Sequence, residues 1–263
     1  MAPSAMRSDN ERIDAFADRF AKAQATSVID LPWGYALLQT DFPNSYDHNR
    51  IVVKSAVSAD AIFDAGDEIL GGAGLTHRHV SVDDDEVGLA VATEFVAAGY
   101  KHTTLVTMID AGDHPIAEPP AHEVRAVSVE DLRRAVTRDW RTDLPTASDD
   151  EIAQLAGRAR LYSQGADTTL LAAFDGDTIA ARVNVFVDSA ERIAQIESLY
   201  THQDFRGRGF ADAVMAEAQR RVQQANCSLS FLVANHDDWP LRWYQKLGYT
   251  SIGHTRDFVL TAQ

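Results

Sequence analysis

The chain has 263 residues, a net charge of −15 and a sequence pI near 4.9. That acidic balance counts against nucleic acid as a partner, which asks for a basic face, and against an anionic membrane surface. A hydrophobic content of 45% and a charged content of 24% suit a soluble globular chain of one large or two modest domains, and no apolar run nears the ~20 residues of a membrane span.

Ser8-Asp-Asn-Glu11 has a reciprocal capping pattern, and Ile13, Phe16, Ala17 and Phe20 follow at helical spacing, so an amphipathic helix is expected to about Ala25. Strands are expected over 33–39 and 50–53, on either side of the turn-rich Asp41-Phe-Pro-Asn-Ser-Tyr-Asp-His-Asn49. A helix from Ser58 to Leu70 closes on Gly71-Gly72, followed by a strand over 75–82, a helix from Asp83 stopped by Gly99, and a strand over 103–108. His77 and His79 form a His-x-His pair, but no third ligand is spaced with them and no metal is expected. The segment 111–121, with three prolines and no period, reads as a linker between an N-terminal domain, 1–110, and a second domain, 122–263.

After it, a strand is expected at Glu123–Val127, then helices capped by Ser128-x-x-Asp131 and Ser148-x-x-Glu151. Asp175-Gly-Asp177 marks a hairpin between the runs 170–174 and 179–187. A strand over 192–200 leads to a helix whose apolar face is Phe210, Val214, Ala218 and Val222. A buried-type strand at 229–233, a short helix ended by Gly248 and a final strand to Leu260 complete the chain. Cys227, the one cysteine, excludes an internal disulfide and reads as a core residue. With an N-terminus lacking an apolar secretory segment, the chain reads as cytoplasmic.

Between the strand ending at Tyr200 and the helix starting at Phe210 lies Thr-His-Gln-Asp-Phe-Arg206-Gly-Arg-Gly209. Glycines at 207 and 209 let an anion approach bare backbone amides, the helix start adds the positive end of its dipole, and Arg206 and Arg208 add charge. The chain has no Gly-x-x-x-x-Gly-Lys-Ser/Thr, and Gly207-x-Gly209 lacks the third glycine of a dinucleotide fingerprint. What remains, Arg206-x-x-Gly209-x-Ala211, resembles the Arg/Gln-x-x-Gly-x-Gly/Ala signature of the GNAT superfamily of acyl-CoA N-acyltransferases. Leu241-Arg-Trp-Tyr-Gln-Lys-Leu-Gly-Tyr249 is similar to a second segment of that family, in the right order.

The resemblance covers about 140 residues, by count from Glu123 to the C-terminus. It implies an α/β (α+β) GNAT fold, a mixed central sheet flanked by helices. Glu94 to Tyr100 echoes the helix–glycine–aromatic ending at Tyr244 to Tyr249, so the N-terminal domain reads as a degenerate GNAT-like half in tandem. Where its phosphate loop would fall stands the acidic Val82-Asp-Asp-Asp-Glu86, which would repel a pyrophosphate.

The implied reaction is direct transfer of an acetyl group from acetyl-CoA to an amine, without metal. The resemblance places the pantetheine arm on Leu199, Tyr200 and Thr201 and the pyrophosphate on Arg206, Gly207, Arg208, Gly209, Phe210 and Ala211. The chain departs from the family where an asparagine usually follows the fifth strand: that position is Asp237, with Asn235 two residues earlier, and either is a candidate for contact with the cofactor arm. Tyr244 matches the general acid that protonates the leaving thiolate. Glu197 is the candidate base, on the expectation that strand alternation sets it on the face of Leu199 and Thr201. His202, His236 and an ordered water are the alternatives. The implied partner is a small-molecule or peptide amine, with the N-terminal half shaping the acceptor groove or the packing of a homodimer. A reading from a different class is a CoA-binding sensor or docking module that transfers nothing.

Overall fold

The computed structural model describes residues 7–110 and 122–261, so the expected linker lies outside the described residues. In chain order the elements are α1 (Asp9–Ala23), β1 (Ser27–Leu31), β2 (Gly34–Leu38), β3 (Arg50–Val53), α2 (Ala59–Ala65), β4 (His77–Val82), α3 (Asp85–Ala97) and β5 (Lys101–Asp110). Then come β6 (Val124–Ala126), α4 (Val129–Asp143), α5 (Asp149–Gly157), β7 (Asp167–Asp175), β8 (Thr178–Asp188), β9 (Ile193–Thr201), α6 (Phe210–Gln224), β10 (Leu229–Asn235), α7 (Pro240–Lys246) and β11 (Tyr249–Thr261).

The caps read from the sequence form. Ser8 and Glu11 exchange hydrogen bonds at the start of α1, and Ser128 with Asp131 makes a full capping box on α4. Ser148 accepts from the Glu151 amide at the head of α5. Two helices end differently from expectation. α2 gives way at Gly66 to a π-helical turn reaching Gly71, and α5 to a 3-10 segment, Arg158–Gln164. β1 was not expected, because Ser27-Val-Ile-Asp-Leu31 has three exposed or half-exposed apolar positions and no clear alternation.

The chain forms two compact units, and they are not its chain-order halves: Met1–Phe20 with Ile109–Leu232, and Ala21–Met108 with Val233–Gln263. In the first unit, β6, β7, β8 and β9 run antiparallel in sequence order, and β10 enters parallel to β9 with Leu229 beside Ile193. The β9–β10 crossover is α6, whose buried face (Phe210, Val214, Ala218, Val222) is the one the fourfold spacing gives. α1 belongs here because of its ring and charge contacts. Phe16 meets Phe231 edge-on at 5.6 Å, Phe20 lies 4.6 Å from Phe186, and Arg19 pairs with Asp188 at 2.6 Å.

In the second unit the strand order is β1-β2-β3-β4-β11-β5, with β3 and β4 parallel and β11 antiparallel to β4. The last strand of the chain thus completes a sheet begun by the first strands. Phe258 of β11 is fully buried against Phe95 of α3, with ring centroids 4.4 Å apart. Burying a side chain of this size from water is worth about 1.5–3 kcal/mol, enough to commit the strand. The acidic run before α3 is consumed structurally. Asp83 holds Lys54 at 2.7 Å, Asp84 caps the helix through the Val87 amide, and Asp85 holds Arg256 at 2.8 Å.

Candidate active site

The glycine loop takes the backbone that its sequence requires. Gly207 and Gly209 have φ of 72° and 82°, left-handed values that a side chain disfavours, and a Cβ at 207 would meet no atom within 4 Å. Gly209 is the N-cap of α6 and no side chain caps that end. The first-turn amides of Phe210 and Ala211 therefore open on the loop, as an anion site needs. Arg206 is exposed and its Nε donates to the Thr201 carbonyl at 3.1 Å. Arg208 pairs with Asp175 of the hairpin at 2.9 Å and packs over Phe205 and Phe210, so it delivers a partly neutralised charge. Asp212 in the first turn opposes an anion there. His122, absent from the sequence reading, stacks on Phe210 at 4.0 Å and hydrogen bonds the Arg208 carbonyl at 2.7 Å, bracing the loop from outside.

β9 carries the second feature. Its ladder to β10 ends at Gln195–Phe231 among the described residues, while β9 continues to Thr201. On the other side its register with β8 slips between Asn184 and Arg182, and Ser198 takes a φ of 57°. This is a β-bulge, with Ser198 and Leu199 facing one residue, and it turns the strand. A strand that parts from its neighbour and bends there offers edge amides at Leu199 to Thr201 to an extended ligand.

The bulge also corrects the expected facing of Glu197. Glu197 lies opposite Asn184 and Tyr200 opposite Arg182, so these four share one face, while Thr201, opposite Ala181, is on the other. The extra residue breaks the alternation that had joined Glu197 to Leu199 and Thr201. Glu197 Oε1 accepts from the Ser198 amide at 3.0 Å and Oε2 from the Gln195 amide group at 2.9 Å, which holds the carboxylate across the bulge. Thr201 Oγ1 is buried with no hydrogen-bond partner among the described residues.

On the Glu197 face, α4, α5 and the turn after it roof β8 and β9 around a cavity of about 210 Å³. Trp140, Tyr162 and Tyr200 supply aromatic walls, Ser198 and Leu199 the bulge, and Arg158, Arg182 and Asn184 the polar groups. Asp139, 2% exposed, receives Arg138 at 3.0 Å and Arg182 at 3.2 Å. Arg182 also donates to the Ser198 carbonyl at 3.2 Å and lies over the Tyr200 ring at 4.9 Å. The buried carboxylate thus orients the guanidinium that pins the bulge. Tyr200 donates to Asp143 at 3.2 Å, and burial, then Asp143, pushes its phenol above the usual range.

The sequence reading missed Asp139, Arg182 and Asn184. The signal was there: Arg182 and Asn184 break an apolar run from Ile179 to Val187 two residues apart.

The remaining expected site residues lie in the second unit or away from the cavity. Tyr244 is 7% exposed, with Trp243 at 5.1 Å and Tyr249 edge-on at 6.0 Å. Asn235 and Asp237 are exposed, and Asn235 Oδ1 accepts the Asp237 amide at 3.0 Å, closing the turn ahead of α7. His236 is exposed and shares a hydrogen bond with Asp237 at 2.9 Å. His202 is buried, and its Nδ1 accepts the Asp204 amide at 3.4 Å. Cys227 is half-buried, with burial pushing its thiol up. Among the described residues no three His, Cys, Asp or Glu are grouped to hold a metal, and no helix is long and apolar enough to cross a membrane.

Solved structures share this fold. A conserved protein of unknown function from Staphylococcus epidermidis superposes with a TM-score of 0.69 at 13% identity, covering 94% of this chain and 98% of its own. A GNAT N-acetyltransferase from Kribbella flavida gives 0.63 at 17% identity over 98% of both chains. A tandem GNAT protein from the clavulanic acid biosynthesis pathway gives 0.58 at 12% identity, covering 97% of this chain and 96% of its own. No curated protein matches the sequence. The family model of the GNAT acetyltransferases matches residues 129–249, from the start of α4 to the first residue of β11. The glycine loop and the bulged strand lie inside that match, which marks residues 129–249 as a GNAT acetyltransferase family domain.

Proposed function

We propose that the chain is an N-acetyltransferase that uses acetyl-CoA and passes the acetyl group to an amine by direct attack. The observation that carries this reading is the pairing of two features in one unit: a strand edge freed past Gln195 and a helix N-terminus fronted by two left-handed glycines. They follow one another along the chain, as an arm and a pyrophosphate do along CoA. A Cβ at 207 meets nothing, so the cradle has room for the group.

Acetyl-CoA supplies a thioester whose acyl carbon an amine attacks, and the other tasks fall to the chain. The amides of Phe210 and Ala211, with Arg206 and Arg208, hold the pyrophosphate, and edge amides of Leu199 to Thr201 hold the arm. Glu197, on the cavity face, takes the amine proton directly or through a water. Tyr244 returns a proton to the leaving thiolate. Both roles are matters of protonation, where a positioned group contributes typically about 10²–10⁴-fold. The N-terminal half, 1–110, is read as a GNAT-like half that has lost its phosphate loop.

The burial of Tyr244 favours a second reading, in which the chain binds CoA and transfers nothing. Release of free thiol from acetyl-CoA across a panel of amines separates the two. Amine-dependent release lost in Gly209→Trp supports the transferase. Tight acetyl-CoA binding with no release for any amine supports the binding module.

A further inference from the structure

α3 lacks the polar outer face of an ordinary surface helix. Its buried side is Gly88, Val91 and Phe95, and the opposite side, exposed to solvent, is Leu89, Ala90, Thr93, Val96 and Ala97. Leu89 and Val96 are each 55% exposed, two of the four large apolar side chains in solvent among the described residues. Seven residues apart, they sit on one side of the helix, about 10.5 Å from one another along its axis. The face is symmetric in sequence. Leu89 and Val96 are centred between Ala92 and Thr93, while Ala90 with Ala97, and Glu86 with Lys101, are centred between Thr93 and Glu94. Turned end over end about Thr93, the face meets itself: leucine opposite valine, alanine opposite alanine, acid opposite base. Glu86 and Lys101 are both exposed, and neither has an ion-pair partner among the described residues. The other acids nearby are engaged or off this face. Asp84 caps the helix, Asp85 holds Arg256, and Glu94 is about 100° round the helix from Thr93. α2 packs on the buried side, Phe63 against Phe95 at 4.7 Å, so its Asp60 and Asp64 stand away from the exposed face.

We propose that this face binds a second copy of the chain, the two α3 helices running antiparallel across a two-fold axis at Thr93. A two-fold contact sets one surface against itself, so each pair occurs twice. Leu89 of each protomer packs on the partner's Val96, and Glu86 pairs with the partner's Lys101. Ala90, Thr93 and Ala97 are small enough for the two axes to close to about 8 Å. Antiparallel helices also set the positive end of each dipole beside the negative end of the other. One face of a 13-residue helix makes a contact below about 1,200 Å² in total, the transient class, so a dissociation constant of about 10 μM is expected. The contact uses one unit of each copy and is independent of the transferase reading.

The test is sedimentation velocity of the full chain from ~1 to ~300 μM, without acetyl-CoA. The wild type passes from one chain to two across this range. Thr93→Arg, at an exposed position, sets two like charges on the axis and keeps the chain single throughout, with a melting curve at ~1 μM that matches the wild type. Glu86→Lys or Lys101→Glu alone weakens association ~5-fold or more, since either change turns two attractive pairs repulsive. The two together restore it to within ~3-fold of the wild type, a recovery specific to this antiparallel register. Wild-type protein that stays a single chain at ~300 μM overturns the inference. So does a dimer that Thr93→Arg leaves intact, or one that the charge exchange fails to restore.

Discussion

Replacing Arg182 by methionine removes the side chain that joins the buried Asp139 to the β9 bulge. The arginine side chain is 12% exposed and the Asp139 carboxyl 3%, so the pair is poorly screened by solvent. Breaking a buried pair by removing one partner typically costs about 3–5 kcal/mol, since the other charge stays buried. Here Arg138 still reaches Asp139 at 3.0 Å, which keeps the loss toward about 2–3 kcal/mol. The Ser198 carbonyl also loses its donor, and Ser198 holds a φ of 57° that costs about 1–3 kcal/mol and persists only where neighbours enforce it. For a unit of this size, about 2–3 kcal/mol corresponds to a melting shift of roughly 5–10 °C. Denaturant midpoints for the wild type, Arg182→Met, Asp139→Asn and the double variant close a cycle whose coupling should exceed ~1 kcal/mol. A single-variant loss under ~0.5 kcal/mol, with no coupling, would refute the claim that this pair holds the bulge.

Gly209→Ala places a Cβ at a φ of 82° and should cost about 1–2 kcal/mol, with acetyl-CoA affinity falling alongside, measured by melting and calorimetry. Tyr244→Phe should lower kcat at least ~10-fold with KM for acetyl-CoA unchanged, and an unchanged kcat would end the acid assignment. Glu197→Gln should lower kcat by ~10²-fold and remove the acidic limb of the pH–rate profile, whereas a carboxylate that only holds the bulge would leave that limb in place. Burial pushes the His77 imidazole down to about 4, its stacking on Tyr46 and hydrogen bond to the Asn49 carbonyl notwithstanding. The unfolded chain therefore binds the extra proton first, and stability should fall as pH drops from ~6.5 to ~4, by at most about 3 kcal/mol. Asp257, whose carboxyl is held below its ordinary value by His79 and Ser81 against its burial, loses its contribution only at lower pH. Melting temperature between pH 7 and pH 4.5 should thus flatten in His77→Phe, and an unchanged slope would remove His77 as the cause.

The glycine loop and α6 were legible in the sequence because their requirements are local. A positive φ asks for glycine, a helix face shows its period, and both lie within about twenty consecutive residues. The bulge was not legible, because Ser198 has no local reason to leave the β region. Arg182 and Glu197 impose it from β8 and from within β9. With the bulge unseen, the facing of Glu197 came out one residue wrong. The cavity was hidden for a similar reason, since α4, α5, β8 and β9 each contribute a few residues and none has a motif. The unit boundaries could not be read from a proline-rich stretch. What decides them is that Phe16 and Phe20 of α1 find Phe231 and Phe186, and that Phe258 of β11 finds Phe95.

The central claim is that the loop from Arg206 to Ala211 binds acetyl-CoA. Calorimetric titration of acetyl-CoA into the wild type and into Gly209→Trp, with melting curves confirming that both fold, tests it most directly. The account predicts a dissociation constant in the micromolar range, about −8 kcal/mol, lost in the tryptophan variant. Wild-type protein that takes up no acetyl-CoA, or a folded Gly209→Trp that binds it as tightly, would contradict it.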